Sequence, residues 1–195
     1  MILSNRAIFA ALDERRLIID PEPSPRTSEE NSVDCPYQTS SVDLRLGNEV
    51  TWLKKDLPIT IALSRGKFAA LFGSNSISRI LTEEQPFVLE SGKFVLANTL
   101  ERVELPIFDD KPCLAARVEG KSSYARCGLL IHFTAPTIHA GFSGRITLEI
   151  MNLGPSPIAL TPGKPICQLI IEEVHGIPLR NDSQFQGQIK PGGER

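Results

Sequence analysis

Apolar and polar positions alternate in short runs through the second half of the chain, and turn residues separate these runs. In "GRITLEIM", Ile146 and Leu148 fall on one face of an extended strand, while Thr147 and Glu149 fall on the other. Similar runs recur about every ten residues, divided by SG, DDKP, HAGFSG, GPS and TPGKP. This spacing predicts a β core over residues 86–174, closed as a barrel or jelly roll.

The first part of the chain has a mixed pattern. Ser4 precedes "NRAIFAALDERR", which predicts an N-capped amphipathic helix and then a strand within residues 1–20. Residues 21–40 are rich in Pro, Ser and Glu and predict a loop. The alternation in "SVDLRLG" predicts a further strand, whereas residues 67–83 fit two short helical turns around "GSN".

Length and composition indicate one soluble domain over residues 1–195, with a polar tail at 176–195 that would be disordered unless something ties it down. No apolar stretch approaches a bilayer span and no signal peptide opens the chain, so a cytoplasmic protein without membrane contact is expected. A net charge of −2 without a basic run argues against nucleic acid as a partner.

The stretch "VEGKSSYARCGLL", residues 118–130, concentrates residues that bind phosphate inside the β region. Gly120-Lys121-Ser122 matches the end of a P-loop, but Ala115 stands where that motif requires its first glycine. The P-loop is therefore excluded.

A short helix is predicted at 121–127, because glycines bracket this segment. Ser122 and Arg126 then lie four residues apart on one face, and the backbone N–H groups that open the helix attract anions. A plain connecting helix with solvated Lys121 and Arg126 explains the same spacing, so both interpretations stay open.

Glu149 is the second candidate for chemistry. A carboxylate in the middle of a strand either faces solvent or lines a cleft as a general acid and base. The histidines follow no zinc-binding spacing and the cysteines form no CxxC pair. His132 is expected to be a packed residue at the edge of the core.

In chain order, "SSVDLRLGNEV", "GKFVLANTLERVELP", "GKSSYARCGLLIHFTAPTIHAGFSGRITLEIMNLG" and the tail sequence "FQGQ" together resemble the dCTP deaminase branch of the dUTPase superfamily. The resemblance implies a mainly β, dUTPase-like distorted jelly roll or barrel. It also implies a homotrimer in which neighbouring copies share active sites and the polar tail closes over the site.

The resemblance supplies roles for the candidate residues. Glu149, Ser122 and Arg126 would be catalytic, with Glu149 activating the water that attacks C4 of cytosine. Mg²⁺ would accompany the triphosphate without protein ligands, and no zinc would take part. The nucleotide-binding set implied in this way is Lys121, Ser122, Ser123, Tyr124, Ala125, Arg126, His139, Thr147, Leu148, Gln184 and Gln188.

Three positions depart from the family pattern. His139 stands where the family has an aspartate that meets the deoxyribose, and in dUTPases the equivalent acid activates water. Gln184 replaces a lysine in the tail, and Leu179 occupies the place of a tyrosine that touches phosphates. The main hypothesis is conversion of dCTP to dUTP and ammonia. The alternatives are an enzyme that also cleaves dUTP to dUMP, and a nucleotide-binding regulatory protein without turnover.

Overall fold

A computed structural model describes residues 1–28, 35–55, 68–180 and 187–191. Its helices are α1 (Asn5–Asp13), α2 (Phe68–Asn75) and α3 (Ser122–Ala125). Its strands are β1 (Ile18–Asp20), β2 (Val42–Leu53), β3 (Ser76–Ile80), β4 (Phe87–Leu89), β5 (Phe94–Glu104), β6 (Leu114–Gly120), β7 (Leu129–Ile131), β8 (Thr137–Ile138), β9 (Ser143–Asn152), β10 (Ile158–Leu160) and β11 (Pro165–Glu173). None of these helices is long and apolar enough to cross a membrane.

One large antiparallel sheet organises the molecule. Its strand order is β7-β9-β5-β2-β11-β6-β8, with β1 added on β5 and β3 added on β2, while β4 and β10 form a separate pair. Strand β2 lies in the middle of this order, although it precedes residues 86–174 in the chain. The prediction of a mainly β fold is confirmed.

The hydrophobic core decides which way β9 faces. Ile146, Leu148 and Ile150 are buried on one side of the strand, as the alternation predicts. Burying each such side chain contributes about 1.5–3 kcal/mol, and a slip of one residue would turn all of them outward. Thr147 and Glu149 are therefore held on the opposite face of the sheet.

Contacts with α1 hold the described part of the loop at 21–40 in place. Arg26 pairs with Glu22 at 2.6 Å and with Asp13 of α1 at 2.7 Å. Tyr37 packs edge-on against Phe9 of α1, with ring centroids 5.0 Å apart. The hydrogen bond from Arg26 lowers the pKa of Glu22 below its ordinary range. The predicted N-cap is also confirmed, since Ser4 Oγ accepts a hydrogen bond from a backbone N–H in the first turn of α1.

The segment at 67–83 differs from its prediction. Only α2 is helical, and β3 follows it directly as a strand paired with Glu49–Leu53 of β2. The expectation of two helical turns was wrong for β3. Pairing with a distant strand decides its conformation, and local propensity does not report such pairing.

Two other strands, β5 and β7, have features that the alternation of apolar and polar positions does not predict. "KFVLANT" and "ERVELP" form the single strand β5, whose pairing with β9 shifts register between Asn98 and Arg102. Strand β7 stops at Ile131, because His132 takes a positive φ of 53° that no regular strand accommodates. This turn brings the His132 side chain towards β9.

Candidate functional site

A row of polar side chains lies on the outward face of β9 and its neighbour β5. Thr147 is directly opposite Asn98, and Glu149 is directly opposite Leu96. Asn98 is only 2% exposed, whereas Glu149 is partly open to solvent. Asn98, Thr147 and Glu149 thus form a polar row in which the carboxylate has access to a bound molecule.

His132 joins this row from the turn after β7. Its Nδ1 lies 2.6 Å from Oε2 of Glu149, and its backbone N–H donates to the Glu149 carbonyl at 2.8 Å. The ring nitrogen therefore contacts the carboxylate directly. The sequence analysis treated His132 as a packing residue and missed its contact with Glu149. The one sign in the sequence was a histidine that interrupts an apolar run.

The outer edge of β9 is covered on both sides of Thr147 but not at Thr147. Towards one end, β7 and His132 pair with the strand as far as Glu149. Towards the other end, the Arg145 N–H donates to the Gln188 carbonyl at 3.0 Å. Alternate residues of a strand point their backbone N–H and C=O groups to the same edge, so those of Thr147 face the outer edge as the Arg145 N–H and the Glu149 carbonyl do. No described residue bonds to the Thr147 groups there. We call this uncovered backbone stretch the Thr147 gap.

Some buried polar side-chain atoms near Thr147 and Glu149 have no hydrogen bond. Within the described ranges, these are Oδ1 of Asn98, Oγ1 of Thr147 and Nε2 of His132. Folded proteins satisfy most buried polar side-chain atoms, with protein or with ordered water. These atoms are therefore available to a polar ligand or to water.

The predicted helix at 121–127 is present as the shorter α3, Ser122–Ala125, capped by Lys121. Gly128 closes it with a φ of 89°, and a Cβ there would lie 2.3 Å from the backbone of Gly154. Ser122 and Arg126 are exposed, and neither side chain has a hydrogen bond or an ion pair with any residue that the structure describes. They do not contact Glu149 within the chain.

Lys121 and Tyr124 anchor α3 to the sheet. The Lys121 ammonium pairs with Asp43 of β2, whose carboxylate also accepts from Nε2 of Gln168 at 3.2 Å. The Tyr124 hydroxyl donates to the Pro165 carbonyl at 3.1 Å. Of the predicted phosphate cradle, Lys121 is thus already engaged, whereas Ser122 and Arg126 are open.

The remaining predicted residues lie in other surroundings. His139 is exposed, and the Leu148 side chain is buried in the core, so only its backbone is available to a site. Gln188 is buried against Arg145, and Leu179 is exposed. Gln184 lies outside the described residues. Among the residues described, no group of three His, Cys, Asp or Glu side chains is arranged to hold a metal ion.

Comparison with known proteins gives one consistent family. Residues 2–174 match the sequence model of the family described as dCTP deaminase-like. A protein of Methanosphaera stadtmanae named "dCTP deaminase, dUMP-forming" is 38% identical over 97% of this chain and 91% of its own length. A protein of Halorubrum lacusprofundi named "dCTP deaminase" is 36% identical over 100% of this chain and 91% of its own length.

The fold agrees with this sequence relationship. The crystal structure of 2'-deoxycytidine 5'-triphosphate deaminase from Agrobacterium tumefaciens superposes with a TM-score of 0.61 at 23% identity. The match covers 89% of this chain and 48% of that longer chain, so our chain spans about half of its length. Because the family match extends over almost the whole chain at well above 30% identity to its relatives, the chain belongs to the dCTP deaminase-like family.

Proposed function

We propose that this protein deaminates dCTP hydrolytically, with Glu149 as the group that moves protons. The observation that carries the proposal is the accessible Glu149 carboxylate beside the Thr147 gap and its unpartnered polar atoms. The names of the relatives, which are dCTP deaminases, support it. The regulatory alternative without turnover is less consistent with a complete set of Ser122, Arg126 and Glu149.

In this proposal the cytosine ring lies in the Thr147 gap. The Thr147 backbone offers one donor and one acceptor side by side, and the ring edge of cytosine carries both acceptors and an amino donor. Backbone groups on a rigid strand hold a planar base in one register, because they cannot rotate as side chains do. This arrangement would place C4 of the ring near Glu149.

The chemistry then needs one carboxylate used twice. Glu149 takes a proton from a water molecule while the oxygen of that water bonds to C4. The electrons of the C4–N3 double bond move to N3, and Glu149 gives the proton to N3. Glu149 next takes the proton of the new hydroxyl and delivers it to the 4-amino group. The C4–N bond breaks, ammonia leaves and the C4 carbonyl of dUTP forms.

We propose that Ser122 and Arg126 of a second copy complete the site. A serine hydroxyl can hold the attacking water, and a guanidinium can stabilise negative charge that develops on the reacting centre or the phosphates. Both side chains are exposed and make no hydrogen bond or ion pair with Glu149 in their own chain, which favours a homotrimer with shared sites. A subunit alone would then be inactive.

The triphosphate would bring its own cation. Mg²⁺ is proposed to enter coordinated by phosphate oxygens, its usual partners in nucleotide sites. None of the proton transfers above passes through the ion. His139 would lie near the sugar, where its ring can donate a hydrogen bond to a hydroxyl.

A second candidate product is dUMP, formed when water also releases pyrophosphate from dUTP. The specific observation in its favour is the name of the Methanosphaera relative, which is dUMP-forming. The observation against it is His139, which replaces the acid that activates water in dUTPases. The two candidates share Glu149 and differ only in the second hydrolysis.

Incubation of the purified protein with dCTP and Mg²⁺, followed by ion-exchange separation of the nucleotides, tests the proposal. A dUTP peak with stoichiometric ammonia supports the main candidate. A dUMP peak with pyrophosphate supports the second. Unchanged dCTP, under conditions in which the protein is folded, contradicts both and leaves the regulatory alternative.

A further inference from the structure

Residues Gly187–Pro191 of the tail, which we call the strap, are bound to the edge of β9 through Gly187 and Gln188. The Gly187 N–H donates to the Ser143 carbonyl at 2.8 Å. Gln188 is bound to Arg145 twice, through its carbonyl at 3.0 Å and through Nε2, which donates to the Arg145 carbonyl at 2.8 Å. These bonds continue the coverage of β9 up to the Thr147 gap.

The strap also has one contact from another strand. Nδ2 of Asn98 on β5 donates to the Ile189 carbonyl at 2.6 Å. The Ile189 side chain is 52% exposed, so burial of this residue does not hold the strap at that point. The hydrogen bond from Asn98 therefore holds Ile189 where the strap reaches the gap.

The surroundings of Asn98 keep its amide in this orientation. A Cβ at Gly47 would lie 2.5 Å from Oδ1 of Asn98, so only a glycine leaves room for the amide there. Asn98 is almost fully buried, and its Oδ1 has no partner among the described residues. A buried polar side chain with an unsatisfied acceptor lowers stability. An apolar residue would avoid this cost if the position served packing alone.

We infer that Asn98 is a positioning residue, which holds the strap against β9 and so sets one wall of the Thr147 gap. The hydrogen bonds of Gly187, Gln188 and Ile189 support the docking of the strap. The effect of this docking on turnover rests on the proposed function. Loss of the Asn98 bond removes one of the hydrogen bonds that hold the strap, so the strap detaches from β9 more often. The wall of the gap then moves while β9 itself stays in place.

Amide hydrogen exchange of the full-length protein without ligand tests the docking. The Arg145 N–H points at the strap, so its exchange rate reports strap release directly. Asn98→Leu keeps the shape of the side chain and removes the donor. We expect exchange at Arg145 and Gly187 to accelerate roughly fivefold, the factor that one hydrogen bond contributes. The matched control Ile189→Ala keeps the carbonyl acceptor and should leave both rates unchanged.

Unchanged exchange in Asn98→Leu overturns the inference, as does equal acceleration in Ile189→Ala. Asn98→Ser, whose hydroxyl is too short to reach the Ile189 carbonyl, gives the same test if the leucine variant fails to fold.

Steady-state kinetics with dCTP tests the consequence for the gap. Asn98→Leu should raise KM about fivefold and leave kcat within about twofold, since Glu149 is untouched. Faster exchange with an unchanged KM would show that the strap does not form a wall of the substrate site. Absence of turnover in the wild-type protein would contradict the proposed function, and the exchange rates would still decide whether Asn98 holds the strap.

Discussion

The ion pair between Asp43 and Lys121 is one of the two contacts by which the sheet anchors α3, and Asp43→Asn tests it. The Asp43 side chain is 8% exposed and that of Lys121 is 21% exposed. Asn at this position keeps an acceptor for Gln168 and removes only the charge that faces the ammonium. The substitution therefore isolates the ion pair from packing.

The expected loss follows from burial. Removing one partner of a buried ion pair costs about 3–5 kcal/mol, because the other charge is left desolvated. The Lys121 chain is flexible and partly exposed, so some of its hydration can be recovered. We expect Asp43→Asn to lower the free energy of unfolding by about 2–3 kcal/mol. Lys121→Met in the same background should recover part of this loss, because no unpaired charge then remains.

Guanidinium unfolding, followed by the fluorescence of Trp52 at one fixed protein concentration, measures the effect. Glu83→Gln is the matched control, since it makes the same acid-to-amide change in an exposed ion pair with Lys164 at 3.3 Å. Exposed pairs contribute about 0–1 kcal/mol, so the control should change stability by less than half as much. Equal losses in the two variants would refute the view that Asp43 anchors α3 through Lys121.

Three other variants and labels test the site and the core. Glu149→Gln should lower kcat for dCTP by about 10²–10⁴-fold with nucleotide affinity retained, and residual turnover above a few per cent of wild type would remove Glu149 from the proton transfers. His139→Asp should tighten dCTP binding if this turn reads the sugar, which titration calorimetry measures; an unchanged dissociation constant would argue against that role. Burial raises the pKa of the Cys167 thiol, so a thiol reagent should modify exposed Cys127 in the native protein and leave Cys167 unmodified, as mass spectrometry of the labelled peptides would show. Rapid labelling of Cys167 would contradict its position in the core.

The alternation in β9 was a sufficient guide to the face that carries Glu149, because a period of two follows from strand geometry alone. The capped start of α1 and the short helix after Gly120 were predicted for the same kind of reason, since capping and glycine signals act within a few residues. The prediction failed at β3, where pairing with β2 overrides local propensity. Nor did any local signal show that Asp43, on the polar face of its strand, would be buried.

The site itself depends on contacts between distant parts of the chain. His132 reaches Glu149 through a turn with positive φ, and Asn98 reaches Ile189 across 91 positions of sequence. A pattern of hydrophobicity reports the burial of each residue but not which residue lies beside it. Such neighbours follow from sheet order and register.

By itself, the sequence determined the β class and the family resemblance, and it supplied the candidate residues for moving protons and binding phosphate, because each depends on local order or on a contiguous motif. Only the tertiary structure decided that Lys121 pairs with Asp43, that the strap lies on β9 and that the backbone of Thr147 is left uncovered beside Glu149. The physical reason is that these features depend on which strands pair and which side chains come together. Distant segments of the chain meet only when it is folded, so no local pattern reports such neighbours.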